Sequence, residues 1–336
     1  MARTKPALVR LSELALGQHA DFFALLAART KGATREGKPY YQCRFRDAKR
    51  AVSFMAWADG AWYGTCEKEW QEGQIYKIRA AYGENKYGPH IDIQNLRLVN
   101  EADKADGFND ADFIERSRYG SDGMFAELRG LAEANIGDEP LRRLVLMLLD
   151  RHAEPLKRLP ATLGKFHPFQ GGLLEHTLAV THSCLWLVEK YTAHYTELRP
   201  PLNRDLVIAG AVLHDLGRVL EIDGDPLRPQ QTVAGRLSGH LILGRDMVRD
   251  AARELDDVNP ELVAMLEHIV LTHLSLPEWG SPRLPLVPEC LILHHADDLD
   301  AKLEMYARCL SRDEEEGAFT ARDPVLGRQL FKGRSV

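Results

Sequence analysis

Two periodicities divide the chain. Over the first hundred residues the apolar positions alternate or gather in short runs, whereas beyond about residue 124 they recur at helical spacing. Phe22 to Leu26 is a short apolar run, and Lys31 to Pro39 is rich in turn residues. Tyr40 to Asp47 then alternates, with Tyr41, Cys43 and Phe45 on one side and Gln42, Arg44 and Arg46 on the other. That period of two marks a half-buried strand. Ala51 to Trp57 reads as a third strand and Trp62 to Trp70 as a short helix. Gln74 to Tyr82 and His90 to Val99 read as two more strands, joined by a turn over Gly83–Pro89.

Five short strands with a helix between the third and fourth follow the element order of an all-β OB-fold barrel. From Glu101 to Gly123 the periodicity breaks into a polar stretch, read as a linker. Helical patterns then run to about residue 311, interrupted at Pro160, Pro200-Pro201, Asp223–Pro229, Pro260 and Ser275–Pro288. The expected organisation is multidomain: a barrel over 1–100, a linker over 101–123, an all-α helical bundle over 124–312 and a frayed tail over 313–336.

Helical geometry sorts the histidines of the second part. After Gly172, the positions Leu173, Thr177, Val180, Cys184 and Val188 form an inward stripe with His176 at its border, while His182 lies opposite among Glu175 and Glu189. Leu262, Leu266, Ile269 and His273 share a face that excludes His268, and His240 aligns with Met247, Val248 and Ala251. An inward imidazole needs a partner, because burying a polar ring alone is costly. One such histidine is most simply a satisfied core residue. Four of them, His176, His214, His240 and His273, with Asp215 and an acid near Asp297, point to a metal site. The helical wheel does not separate Asp297 from Asp298 and Asp300, and His294 and His295 stay open as supporting groups.

Composition narrows the chemistry. With 336 residues, 45% of them apolar and 27% charged, the chain can fill two ordinary cores. The five cysteines form no CxxC pair, which argues against a disulfide framework or a thiolate zinc site and fits a reducing cytoplasm. The opening MARTKPALVR lacks the apolar stretch of a secretory signal, and no apolar run approaches the roughly 20 residues that cross a bilayer, so no membrane partner is expected. Residues 1–100 hold 16 Lys+Arg against 10 Asp+Glu, and the rest hold 27 against 39. A basic piece suited to polyanions therefore precedes an acidic piece suited to cations. Eight basic residues fall between Arg29 and Arg50, interleaved with Tyr40, Tyr41 and Phe45. Cations that track phosphates and flat rings that stack bases are what single-stranded RNA or DNA requires. Lys38, Tyr40, Arg44, Arg46, Lys49 and Arg50 are the candidate contacts, Arg44 and Arg46 first among them; the competing reading is barrel core and a solvated face.

The words GGLLEHT (171–177), LHDLGR (213–218), GHLILG (239–244) and ILHHADDLDAK (292–302) resemble the HD superfamily of metal-dependent phosphohydrolases. Together with the EWGSP loop (278–282) and the barrel before them, they resemble the YhaM family of bacterial 3′→5′ exoribonucleases from about residue 10 to 312, specifically in the helical half and more loosely in the barrel. The resemblance selects Asp297 and implies a metal, Mn²⁺ above others, held by His176, His214, Asp215 and Asp297. It implies that His240 and His273 either hold a second ion or donate protons, and that nucleoside 5′-monophosphates leave the 3′ end of single-stranded RNA. Arg218 stands where the common form carries Lys, and is expected to neutralise charge on a substrate phosphate. His273 is followed by Leu274 and Ser275, where such proteins commonly show a second His and a Gly. Two other readings compete, a hydrolase of free nucleotides or small phosphate esters and a non-catalytic nucleic-acid-binding module. Association into a homo-oligomer is left open.

Overall fold

The computed structural model describes residues 8–85, 88–225, 227–313 and 315–333. It divides into two compact units, Met1–Glu115 and Arg116–Val336. No helix among the described residues is long and apolar enough to cross a membrane.

The first unit is a barrel of β1 (His19–Ala33), β2 (Pro39–Arg46), β3 (Ala51–Trp57), β4 (Ile75–Asn85) and β5 (Gly88–Leu98), with α1 (Tyr63–Lys68) between β3 and β4. The strands close in the order β1-β2-β3-β5-β4, and this order is that of an OB-like barrel. β1 closes it by serving two neighbours: His19–Leu25 pair with β4 and Leu25–Ala33 with β2. A register shift between Leu26 and Ala28 re-aims the strand where it changes partner. β1 is thus longer than the apolar run Phe22–Leu26 and takes in part of the stretch read as turn. From position 27 onward no residue of β1 is buried, so no apolar alternation marks that part. Strand alternation elsewhere holds: Tyr41, Cys43 and Phe45 are buried, and Gln42 and Arg44 are exposed. Trp70, just beyond α1, fills the barrel against Phe45 (5.8 Å) and Tyr76 (6.3 Å). The tip of the Gly83–Pro89 turn, Lys86-Tyr87, lies outside the described residues.

The expected linker divides between the two units at Glu115/Arg116. Its first part wraps the barrel in two short 3-10 turns, with Phe108 on Phe23 (5.2 Å). Buried Asp103 is the fastener: it accepts from both Arg97 nitrogens (2.7 Å each), Lys77 Nζ (3.0 Å) and the Asn100 amide (2.9 Å). Asp103 and Asp106, two of the polar residues that suggested a linker, are spent on this anchoring.

In the second unit α2 (Ser121–Asn135), α3 (Glu139–Arg151), α4 (Ala153–Arg158), α5 (Gly172–His194), α6 (Arg204–Leu213), α7 (Arg218–Glu221), α8 (Val233–Ala252), α9 (Pro260–Thr272) and α10 (Pro288–Arg312) form a bundle. Leu206 to Leu213 are buried without exception, and α6 packs against α2, α3, α5, α9 and α10. A helix apolar all round belongs at the centre of its fold, and here it delivers His214 and Asp215 to the middle of the bundle. Two glycines shape what surrounds them. At Gly239 (φ 72°, ψ 160°) α8 breaks, so that His240 opens a fresh helical run. At Gly217 a Cβ would lie 2.0 Å from the His240 carbonyl oxygen, so only glycine lets the turn after Asp215 touch α8. The tail, expected to fray, instead folds back: the Thr320 amide donates to the Leu330 carbonyl (2.9 Å), Lys332 pairs with Asp313 (2.6 Å), and Thr320 and Leu330 are buried.

The Arg97 guanidinium holds the Asp103 carboxyl well below the usual carboxylate range, against the opposing effect of its burial. Its contribution is complete above the unfolded carboxyl's pKa of about 3.9 and fades as pH falls below that. Asp103→Ala should cost the barrel's denaturant transition about 1–2 kcal/mol near neutral pH, because it removes the buried acceptor shared by Arg97, Lys77 and the Asn100 amide. An unchanged midpoint would contradict the anchoring role.

Candidate functional site

Six buried or nearly buried side chains converge from separate elements: His176 from α5, His214 and Asp215 from the end of α6, His240 from the fresh run of α8, His273 at the C-terminus of α9 and Asp297 from α10. They form two triads, His176/His214/Asp297 and Asp215/His240/His273, each with one ligand atom per residue lying within 4.8 Å of the others. In the first, His176 Nε2 lies 3.3 Å from His214 Nε2 and 3.1 Å from Asp297 Oδ1. In the second, Asp215 Oδ1 lies 3.4 Å from His240 Nε2 and 3.7 Å from His273 Nε2. Asp215 spans both, since its Oδ2 is 3.9 Å from His176 Nε2 and 3.8 Å from His214 Nε2.

All four imidazoles are oriented the same way, from behind. His214 Nδ1 donates to the Ala211 carbonyl (2.8 Å) and His273 Nδ1 to the Val270 carbonyl (2.9 Å). His176 Nδ1 meets Asp300 Oδ2 at 2.7 Å, and His240 Nδ1 meets Glu221 Oε2 at 3.3 Å. Acceptors at Nδ1 place a proton there and leave each Nε2 facing the cluster. Asp215 Oδ1, His240 Nε2 and His273 Nε2 are buried with no hydrogen-bond partner. A polar atom left unpaired in the interior is costly, and three aimed at one place fit a divalent cation. Nitrogen and carboxylate donors without thiolate suit Mn, Fe, Co, Ni, Zn or Mg.

The electrostatics agree. Burial alone would lower the His176 pKa, yet its bonds to Asp297 and Asp300 outweigh burial and hold it up at about 10: the acids that raise it favour positive charge at that spot. Burial, aided by His214, pushes His273 down to about 3, which leaves a neutral lone-pair donor. Burial acts to raise Asp215 and Asp297, but Arg218 and His214 hold the first well below the carboxylate range and His176 lowers the second. Both acids are therefore anionic at neutral pH.

Arg218 is neither at the surface nor free. Its Nε donates to Asp215 Oδ2 (2.6 Å) and its Nη1 to Glu221 Oε2 (3.2 Å), so in this structure it clamps the Asp215 carboxylate while also lining the adjoining cavity. Of the acids on α10, Asp298 pairs with Lys302 (2.7 Å), whereas Asp300 bridges His176 and His167 Nε2 (3.0 Å). His295 is exposed, and His294 Nδ1 donates to the His273 carbonyl (2.7 Å). His182 and His268 lie off the cluster, paired with Glu127 (2.8 Å) and the Leu286 amide (2.9 Å). Sequence reasoning missed Glu221, His167 and the role of Asp300. Asp300 carried a signal, three residues beyond Asp297 on one helix face, and Glu221 stands likewise three beyond Arg218. His167, buried at a left-handed φ of 41° between helices, carried none.

In the barrel the basic residues sort into two kinds. Arg46 Nη1 donates to the Phe113 carbonyl (2.8 Å), and Arg50 Nη1 donates to the Leu14 carbonyl (2.7 Å) while its guanidinium covers Tyr82 (5.0 Å). Both hold chain segments together. Lys38, Arg44 and Lys49 are exposed, and Tyr40 packs half-buried against the more exposed ring of Trp57 (5.2 Å). Tyr41 and Phe45 are core.

Asp300→Ala should weaken Mn²⁺ binding by about 10- to 100-fold, because it frees the His176 ring that it orients. Calorimetric titration with the metal checks this, and an unaltered affinity would contradict the orienting role.

Two solved structures similar to the barrel are domains of replication protein A from Methanococcus maripaludis. One is a crystal structure (14% identity, TM-score 0.23, covering 28% of this chain and 98% of that one). The other is the solution structure of the second OB-fold domain (14% identity, TM-score 0.22, covering 28% and 96%). Residues 173–302, which carry all six converging side chains, match the family model of the HD domain. The N-terminal sheet is OB-like, and the helical region that follows it contains an HD domain, a domain of metal-dependent phosphohydrolases.

Proposed function

We propose that the chain is a metal-dependent 3′→5′ exonuclease that hydrolyses single-stranded RNA, and DNA as a second substrate, to nucleoside 5′-monophosphates. The observation that carries the reading is the convergence of four imidazole Nε2 atoms and two buried carboxylates, with Asp215 Oδ1, His240 Nε2 and His273 Nε2 otherwise unpartnered. His176, His214 and Asp297 would hold one ion, and Asp215, His240 and His273 a second, with Mn²⁺ the expected metal. A divalent ion held there would lower the pKa of water from about 15.7 toward 7 and would polarise a phosphoryl oxygen.

The chain's own groups prepare for that chemistry. Ala211, Val270, Asp300 and Glu221 fix the four imidazoles, so no ring must turn when the site is used. Arg218 holds Asp215 by Oδ2 and keeps its Oδ1 toward His240 and His273. From the cavity lining the same guanidinium can meet a phosphate, where its charge offsets what develops on oxygen. Glu221, 3.3 Å from His240 Nδ1, orients that imidazole with Nε2 toward Asp215, the pose a ligand needs. Lys38, Arg44, Lys49 and Tyr40 supply the exposed cations and ring with which the barrel would bind the strand. The cytoplasm is the proposed compartment, supported by five cysteines that are all free.

End-labelled single strands incubated with Mn²⁺ should give a ladder shortening from the 3′ end. His214→Ala and Asp215→Ala should each lower the rate by at least about 10³-fold and leave strand binding intact. Activity retained by both variants would refute the assignment. The triple change Lys38→Ala, Arg44→Ala and Lys49→Ala should weaken strand binding and reduce its salt slope by about 2–3, with turnover of a mononucleotide ester unchanged. Indifference of strand turnover to that change would favour the rival reading of a small-ester hydrolase.

A further inference from the structure

A cavity of about 650 Å³ adjoins the ligand cluster, and its lining combines two kinds of chemistry. Arg218, His240 and Asp297 supply charge and metal-ligating groups, whereas Leu274 and Trp279 supply an apolar wall. The volume lies within the range of about 300–1,000 Å³ typical of small-ligand sites. An inorganic phosphate or a small polar ester would use only the charged part. The wall becomes useful when the ligand also brings a flat apolar surface.

Trp279 is suited to meet such a surface. It is 48% exposed although it lines a concave site. Its ring stacks on His294 at 5.9 Å and 30°, and His294 is itself pinned through Nδ1 to the His273 carbonyl. The indole is thus supported from behind by a residue tied to a metal-ligating histidine. A support of that kind limits the rotamer entropy that binding would otherwise cost. Lys302 Nζ, held by Asp298, lies over the same ring at 5.8 Å from its centroid, and its flexible stem lets that cation give way to a base.

We propose that Trp279, backed by His294, is a stacking platform for the nucleobase of the nucleotide whose phosphate meets the metal-ligating cluster. The site takes a nucleoside 5′-phosphate unit: base on the indole, phosphate toward Arg218 and the ligands. This deepens the reading of the chain as an exonuclease and rests on it, because the unit held is the 3′-terminal nucleotide of the strand.

The test compares adenosine 5′-monophosphate with ribose 5-phosphate, which differ only in the base, by calorimetric titration of the Mn²⁺-loaded full chain. Wild type should bind the nucleotide roughly 5- to 150-fold more tightly, the range expected for one base on an aromatic ring. Trp279→Ala should abolish that preference and leave ribose 5-phosphate affinity unchanged, which also verifies that the variant folds. Trp279→Phe should retain most of the preference. Equal binding of the two ligands by wild type, no binding of either, or a preference that survives Trp279→Ala would overturn the platform. Hydrolysis of a labelled strand by wild type separates the two ideas: cleavage without base preference defeats the platform alone, and base-dependent binding without cleavage defeats the exonuclease reading alone.

Discussion

The second unit is organised around an electrostatic problem in a dry place. Asp215 and Asp297 are anionic and almost wholly buried, and four imidazoles point their Nε2 atoms at them. Burying unpaired charge costs several kcal/mol per ion even after relaxation. Arg218 answers part of this with a bond to Asp215, but Asp215 Oδ1, His240 Nε2 and His273 Nε2 have no partner among the described residues. A fold that needed only stability could have filled this centre with leucine. The arrangement makes sense as a cradle for divalent cations.

The surrounding structure serves that cradle. The wholly apolar α6 carries His214 and Asp215 inward, and the break at Gly239 re-aims α8 so that His240 faces Asp215. Behind each imidazole sits an acceptor that sets its tautomer: two are helix carbonyls within the residue's own last turn, and two are the carboxylates of Asp300 and Glu221. The helix carbonyls come without further cost, since the last C=O groups of a helix lack intrahelical partners. The carboxylates had to be supplied by other positions, and Asp300 serves two histidines at once.

Much of this was legible beforehand, for physical reasons. Period-two alternation marks β2 because one face is core, and 3.6-residue spacing picks His176 over His182 and His273 over His268 because one helix face is dry. What escaped was whatever depends on contacts distant in sequence. Nothing local says that Arg46 and Arg50 spend their charge on the Phe113 and Leu14 carbonyls rather than on a ligand. Nothing local separates Asp297 from Asp300, since both lie on the inner side of α10 and only the position of His176 sets Asp297 at its Nε2 and Asp300 at its Nδ1. The polar stretch from Glu101 read as a linker because its polar residues are anchors, and anchoring by ion pairs leaves no apolar rhythm.

The central claim is that imidazole nitrogens from separate helices bind one metal centre. Pulsed electron paramagnetic resonance of the Mn²⁺-loaded protein reads this directly, because a nitrogen bonded to the ion modulates the echo and a water oxygen does not. The account predicts nitrogen couplings from more than one imidazole, reduced when His214 is replaced by alanine. A spectrum of fully hydrated Mn²⁺, free of nitrogen coupling, would contradict it.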